Sequence, residues 1–433
     1  MRIGRTLPPA AAPIRFRDIV SGLLGLVAGQ RELDRFERQI KAHFGVRHCF
    51  LLSSGKTGLT LTLEALRELH PDRDEVLIPA FTCYSVPSSI VRAGLKVRMC
   101  DIHPDYFDFD FAKLAAEASI ADAPSTITRE PTPARSIAHP GMDDDLHAQP
   151  SNRILAVVPT HLFGVPADVA AVRKLFPDPR VSIVEDAAQA MGETQDGVQM
   201  GTLGDVGFFS LGRGKALSLV EGGLILTNRD DLADRLAALQ AGLPRYEATG
   251  LLQIITKALV LTIFAHPRLF WIPKSLPFLR LGETLFEPDF PMRRMSPFQA
   301  GLSRHWQDTL NSLRTGRRKA VVQWITMLSG PKRDGSIRCP DKPLALLRFP
   351  LRIRDSAKRQ ALLHESSLHG LGIAPAYPAS VDAIPELKGK ISGTKTFPVA
   401  GACAQETVTL PTHRYLSELD LLRLNKIVLA VLR

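Results

Sequence analysis

Short apolar runs of strand length recur along this chain, separated by segments of helix length, and that alternation restricts the fold more than any other feature. Such runs lie at 75–78, 96–100, 154–158, 181–184, 206–209 and 224–227. Helix-length stretches separate several of them, such as 166–175 and the stretch after Gly55, where Leu59, Leu63 and Leu66 return every three or four residues. Strands joined by helices pair in parallel and are covered on both faces. The chain therefore reads as α/β, with a mostly parallel sheet. An amphipathic helix carrying Leu33, Phe36 and Ile40 precedes the first strand, which begins at His48 and ends in the turn Ser53-Ser54-Gly55.

At 433 residues the chain has room for two domains. The strand and helix alternation occupies 15–245, interrupted at about 118–152 by a Pro-, Ser-, Thr- and Asp-rich insertion. An apolar connecting segment follows at 246–310, and 311–433 reads as a small C-terminal α+β domain with an apolar run at 346–353 and a final helix from Leu416. Within the connection, 251–281 is apolar but too short and too broken by proline to span a bilayer. A buried or interface helix, a substrate lid and a contact with a membrane surface all remain open for it.

Hydrophobic content of 45% and charged content of 23% exclude chain-wide disorder. The formal charge of +10 favours anionic partners such as nucleotides, phosphosugars or a membrane surface. No basic block interleaved with aromatics is present, so nucleic acid is not expected. The densest basic cluster, Arg314, Arg317, Arg318 and Lys319, reads as a solvated helix face, with an anion contact as the alternative. The five cysteines, Cys49, Cys83, Cys100, Cys339 and Cys403, have neither disulfide-framework nor zinc spacing, so no metal is expected. The N-terminus lacks the continuous apolar core of a signal peptide. The expected location is the cytoplasm, with membrane association through 251–281 as its variant.

Asp186 follows the run at 181–184, at the carboxyl end of a strand, where α/β proteins place ligands. Gln189, three residues on, is expected on the same helical face. Ser53-Ser54-Gly55-Lys56 forms a strand-to-helix turn whose free N–H groups suit a phosphate, without the spacing of a P-loop or a dinucleotide fold. Ser210 offers a second phosphate contact, and Lys215 sits in a turn flanked by Gly212 and Gly214. A lysine amine, a carboxylate for a ring nitrogen, and hydroxyls and amides for a phosphate are the needs of pyridoxal phosphate.

These residues resemble the DegT/StrS family of pyridoxal phosphate-dependent sugar aminotransferases, on the aspartate-aminotransferase-like fold (pyridoxal phosphate transferase fold type I). Four stretches carry the resemblance, in order: Ser53-Ser54-Gly55, Ile78-Pro79-Ala80-Phe81-Thr82, Glu185-Asp186-Ala187-Ala188-Gln189-Ala190, and 207–215 followed by Glu221-Gly222-Gly223. Val158-Pro159-Thr160-His161-Leu162-Phe163-Gly164, Arg294-Met295-Ser296 with Gln299-Ala300, and Leu410-Pro411-Thr412-His413 support it. The resemblance implies that Lys215 forms the internal aldimine and moves the proton, that Asp186 pairs with the pyridine nitrogen, and that Gln189 touches the ring oxygen. Ser210 and the amides of Gly55 and Lys56 would hold the phosphate.

It further implies a homodimer that transfers an amino group from an amino acid such as glutamate to a nucleotide-linked keto-sugar, in polysaccharide or glycoconjugate biosynthesis. The alternatives are another pyridoxal phosphate reaction, dehydration or elimination, and a non-catalytic regulator on the same fold. Family dehydratases carry histidine where this chain has Lys215. Three positions depart from the family pattern. Lys56 replaces Thr or Ser and offers its ammonium to the phosphate. Cys83 stands where many members place an aromatic ring over the pyridine, so stacking is either absent or supplied by Tyr84 or Phe81 from a shifted register. Met292 stands where an asparagine reaches the partner's phosphate.

Overall fold

A computed structural model describes residues 3–121, 153–276, 282, 284–328, 337–338, 342–393 and 396–432. Its main sheet has seven strands. In spatial order they are His48–Leu52, Gly223–Thr227, Val206–Ser210, Ser182–Asp186, Ile154–Val157, Glu75–Pro79 and Lys96–Cys100. Gly223–Thr227 pairs antiparallel with both of its neighbours, and every other pairing is parallel. The parallel strands Glu75–Pro79 and Ser182–Asp186 are buried along their whole length. Burial on both faces accounts for their near-continuous apolar composition.

The helix Gly55–Leu69 starts where the side chain of Ser54 accepts the Thr57 N–H at 3.0 Å, an N-cap that terminates the preceding strand cleanly. Leu59, Leu63 and Leu66 pack into the core beneath the sheet, joined there by Phe81, Val184 and Phe208. On the other face Phe36, Ile40, Phe44 and Trp306 form a second cluster with Phe209 and Leu224.

A four-stranded sheet follows in the C-terminal part, in the order Ile337–Arg338, Phe349–Ile353, Thr407–Leu410, Ala374–Pro375. Its core includes Trp324, Phe349, Leu351, Val408 and Val428. One continuous helix, Trp306–Leu328, runs across the expected boundary near residue 311. Trp306 and Leu310 belong to the core under the main sheet, and Val321 and Trp324 belong to the C-terminal core.

Several boundaries move. The run expected at 181–184 becomes Ser182–Asp186, so Asp186 closes the strand instead of following it. The helix expected from 166 starts at Val169, capped by the Asp168 side chain on the Ala171 N–H. The apolar run at 346–353 becomes a strand only from Phe349, and the last helix starts at Glu418. Within 118–152, residues 118–121 end the helix Phe111–Ala121, and the rest of the expected insertion lies outside the described residues. The segment at 251–281 holds the helix Ala248–Phe264 and the turn of helix Trp271–Lys274. Ile254 and Ala258 alone are buried in the longer helix. Leu252 stays 64% exposed and Ile263 46%, so a wholly buried helix is ruled out.

Candidate active site

Asp186 is held from both sides by backbone. Its N–H donates to Pro159 O at 2.9 Å and its carbonyl accepts the His161 N–H at 3.1 Å. The Ala188 N–H donates to its Oδ1 at 3.0 Å, and the residue is 5% exposed. Burial raises the carboxyl's pKa above its ordinary value, while the Lys215 ammonium and the Ala188 bond pull it back. The Lys215 amine therefore lies within electrostatic reach of a buried carboxylate at this end of the sheet.

Residues after Asp186 form turns and not a helix, which corrects the expectation that Gln189 shares a helical face with Asp186. The strand end and the turn bring Gln189 in instead. Its Nε2 donates to the Tyr377 hydroxyl at 3.1 Å, while its Oε1 is buried with no hydrogen-bond partner. A buried amide oxygen left unpaired costs on the order of 1–3 kcal/mol, so it marks a place where a donor is wanted. Thr82 Oγ1 is likewise buried and unpartnered.

Tyr377 has no counterpart in the sequence reading. It stands between Ala376 and Pro378 in a stretch without periodicity, and only the folding of the C-terminal part brings it here. Burial pushes its phenol pKa well up, so it stays a neutral hydroxyl. The ring meets Phe81 edge-on at 5.5 Å between centroids and stacks with Phe163 at 6.2 Å. Phe163 adopts φ 60°, ψ 2°, a left-handed conformation that costs a bulky residue on the order of 1–3 kcal/mol.

Behind Asp186, His161 Nε2 and Glu185 Oε2 lie 3.0 Å apart, both fully buried. The Ala167 N–H donates to His161 Nδ1 at 3.0 Å, so the ring is the neutral tautomer that donates from Nε2. Glu185 also accepts the N–H groups of Gly201 at 2.8 Å and Gly204 at 2.6 Å. This network sets the backbone next to Asp186.

At the other end of the site, Gly55 abuts Ser210. A Cβ on Gly55 would stand 2.9 Å from Ser210 Cβ and 3.3 Å from Ser210 Cα, closer than real side chains come. The first amides of Gly55–Leu69 thus open beside the Ser210 hydroxyl, with no helical acceptor of their own. The Lys56 ammonium does not turn that way. It pairs with Glu287 at 3.1 Å, over the ring of Phe290 at 4.3 Å, leaving the amide as what this residue offers.

Lys215 is fixed through its main chain. Arg317 donates from Nη2 to Lys215 O at 3.2 Å and from Nη1 to Ala216 O at 3.0 Å. Arg317 is 2% exposed, and burial pulls its pKa down to about 10. Arg314 pairs with Glu193 at 2.7 Å. The basic cluster expected as a solvated face is therefore partly internal. One side of Trp306–Leu328 packs on the Lys215 turn and needs donors there.

The two rings expected to supply stacking are both held in place. Phe81 is fully buried, and the Tyr84 hydroxyl is tied to Ala379, accepting its N–H at 3.0 Å and facing its carbonyl at 3.1 Å. Cys83 is partly exposed, close enough to Tyr377 to raise its pKa. Met292 packs against the main core.

The structure thus brings Asp186, Gln189, Lys215, Ser210, Gly55 and Lys56 to one end of the main sheet. Their donors and acceptors fit pyridoxal phosphate. A buried carboxylate suits the ring nitrogen, the unpartnered Oε1 of Gln189 suits a donor at the ring edge, and the Gly55 cradle suits a phosphate.

A family model described as "DegT/DnrJ/EryC1/StrS aminotransferase family" matches residues 24–253. Among curated relatives, the chain is 31% identical over 210 residues to a GDP-perosamine synthase of Caulobacter vibrioides, covering 48% of this chain and 47% of that protein. It is 33% identical over 207 residues to an L-glutamine:2-deoxy-scyllo-inosose aminotransferase of Streptoalloteichus tenebrarius, covering 48% and 41%. The chain thus spans about half the length of the curated relatives it matches. Among solved structures, Helicobacter pylori PseC, an aminotransferase of pseudoaminic acid biosynthesis, superposes with a TM-score of 0.72 at 14% identity, over 99% of both chains. An E. coli GDP-4-keto-6-deoxy-D-mannose-3-dehydratase superposes with a TM-score of 0.69 at 16% identity, over 99% and 100%. These superpositions establish the α/β fold with its large, mostly parallel sheet.

Proposed function

The chain belongs to the DegT/DnrJ/EryC1/StrS aminotransferase family, and from that premise we propose that it is a pyridoxal phosphate-dependent aminotransferase. In this reading it moves an amino group from an amino acid, glutamate, to a nucleotide-linked keto-sugar for polysaccharide or glycoconjugate synthesis, and works as a homodimer. The observation that carries the reading is the placement of Asp186. It is a carboxylate buried at the carboxyl end of a strand, kept within electrostatic reach of Lys215.

When bound, the cofactor supplies a ring that accepts electrons as a substrate carbon loses its proton. Asp186 orients that ring and keeps its nitrogen protonated, at a position where burial makes an opposite charge worth more than in water. Gln189 aligns the ring edge, with Tyr377 fixing the amide. The amides of Gly55 and Lys56 and the Ser210 hydroxyl grip the phosphate. The Lys215 amine, carried on a turn that Arg317 anchors, moves the proton at the substrate carbon bearing the amino group.

Purified protein incubated with pyridoxal phosphate should gain a visible absorption band that Lys215→Ala lacks, and L-glutamate should convert the wild type with release of 2-oxoglutarate. No band in the wild type overturns the reading. A band that amino acids never change favours an elimination or dehydration. Sedimentation velocity tests the homodimer.

A membrane-surface location is part of the same proposal. Among the described residues no helix is long and apolar enough to cross a membrane. Helices Phe16–Ala28 and Ala248–Phe264 nevertheless touch and leave apolar side chains outward. Val27 is 88% exposed, and Phe16, Val20, Leu24, Leu252 and Val260 are exposed beside it. The exposed positions of the two helices include Arg17 and no acidic residue, and the exposed Lys257 is paired with Glu221 at 2.6 Å. Apolar groups with basic neighbours suit an anionic bilayer surface. The full chain should float with phosphatidylglycerol vesicles and Val260→Asp/Leu252→Asp should not. Dimer dissociation in that variant would assign the face to a second copy instead.

A further inference from the structure

Lys56 puts a cation at the disfavoured end of a helix. It is the second residue of Gly55–Leu69, where the aligned peptide dipoles leave a partial positive charge, and the first turn carries no acidic residue. An ammonium there calls for an anion. Two compete for it: the carboxylate of Glu287, and a phosphate cradled by the amides of Gly55 and of Lys56 itself. The lysine that follows the last glycine of a P-loop reaches phosphates held by backbone amides, so a side chain of this length at a helix-opening turn spans the gap.

The competing carboxylate is firmly seated. The Glu287 N–H donates to Ser88 Oγ at 2.9 Å, which docks it on the helix Ser85–Arg92, and Phe290, 4% exposed, anchors the same short segment three residues on. The Lys56 ammonium lies 3.1 Å from Glu287 Oε2 and 4.3 Å from the centroid of the Phe290 ring. Main chain and side chain of Lys56 are held with different strength. Ser89 Oγ donates to Lys56 O at 3.2 Å, whereas the partner of the ammonium is 62% exposed. An exposed ion pair of this kind holds weakly, and a charge-assisted bond to phosphate is stronger, so the ammonium can be exchanged between the two. The segment carries a second pair, Arg92 with Asp289 at 3.0 Å, and Arg92 Cζ lies 5.8 Å from the same Phe290 ring. Arg92 closes Ser85–Arg92 and is no part of the phosphate turn.

We propose that Glu287 competes with the cofactor phosphate for the Lys56 ammonium and thereby limits how tightly the phosphate is held. The inference rests on the cofactor reading above and deepens it. Its weight falls on the amine form of the cofactor, which has no carbonyl to bond to Lys215 and is retained by noncovalent contacts alone. By drawing Lys56 aside, Glu287 sets how readily that form leaves. It acts through Lys56 and touches neither ring nor substrate, so it is a positioning residue.

The test titrates the full chain, freed of cofactor, with pyridoxamine phosphate in a calorimeter, and with pyridoxamine as the phosphate-free control. Glu287→Gln should bind pyridoxamine phosphate about two- to fivefold more tightly than wild type, the gain expected when an exposed pair is released. Lys56→Met should bind it about tenfold more weakly, having lost one charge-assisted contact. Adding Glu287→Gln to Lys56→Met should change nothing further. Asp289→Asn removes the same charge from the same segment and should match wild type. Affinity for pyridoxamine should be the same in every variant. An unchanged affinity in Glu287→Gln overturns the proposal and leaves the cofactor reading standing. A gain that persists without Lys56, or that Asp289→Asn reproduces, is plain repulsion between carboxylate and phosphate and overturns it too. A gain shared by pyridoxamine, or a Lys56→Met variant with wild-type affinity, does the same. A wild type that binds no pyridoxamine phosphate rejects the cofactor reading itself, and this proposal with it.

Discussion

Gln189 and Tyr377, 188 residues apart in sequence, share a buried hydrogen bond of 3.1 Å that ties the crevice of the main sheet to the C-terminal part of the chain. Tyr377→Phe keeps the ring and its stacking on Phe163 but strands the Gln189 amide. The expected loss is roughly 1–3 kcal/mol, read from urea unfolding of the cofactor-free protein. A loss below a few tenths would mean that water replaces the hydroxyl.

Gly55→Ala sets two effects against each other. Alanine gains about 1 kcal/mol of helix propensity over glycine. Its methyl group meets Ser210 Cβ at 2.9 Å and the Ser210 backbone at 3.3 Å, and overpacking of this kind costs about 1–3 kcal/mol. The backbone contact should win, and the cradle should open. Pyridoxal phosphate affinity is predicted to fall at least ~10-fold, measured by fluorescence titration.

Asp186→Asn should weaken cofactor binding and yet stabilise the empty protein. Burial holds the Asp186 pKa above its unfolded value, so the carboxylate opposes folding once it ionises. That penalty is absent below the unfolded pKa and complete above the folded one. Cofactor-free Asp186→Asn is therefore expected to unfold at higher urea than wild type at pH 8, with the gap closing as pH falls into the carboxylate range. A variant less stable at pH 8 would show that Lys215 more than offsets the burial.

His413 gives the opposite sign. Burial lowers its pKa to about 4, and its Nε2 lies 2.8 Å from Pro8 O. A depressed pKa means that the stability it contributes is present above about 6.5 and is lost as pH falls towards 4. The loss is on the order of 3 kcal/mol across that window. In His413→Gln, which cannot titrate, this part of the pH dependence should vanish from the urea midpoints.

Arg317→Met removes both donors from the turn of Lys215 and leaves two carbonyls facing an apolar side chain. The fold should survive, because methionine fills most of the volume. The lysine should wander. Cofactor affinity is expected to drop about tenfold or more, while far-ultraviolet circular dichroism stays unchanged.

The main sheet was readable because its strands are fully buried and therefore continuously apolar, while the helices between them repeat their leucines at helical spacing. Asp186, Ser210 and Lys215 were readable for a related reason, since each lies at or just beyond a strand end where the chain must turn. Tyr377 was not. Its place depends on how the C-terminal sheet sits against the loop at Phe163, and no local pattern encodes that contact. Arg317 was misread because a buried arginine and a solvated one look identical when their neighbours are other cations. The fate of the Lys56 ammonium was decided by Glu287, 231 residues further on.

The stretch around Leu7 has a reach that its composition does not suggest. The Leu7 N–H is bound by Gly370 O, Pro8 O faces the His413 ring, and Ala10 rests against Gly214, one residue before Lys215. This stretch acts as a drawstring between the C-terminal sheet and the lysine turn. Substitutions at Leu7 or Pro8, far from Lys215 in sequence, should therefore read out in how Lys215 holds its partner.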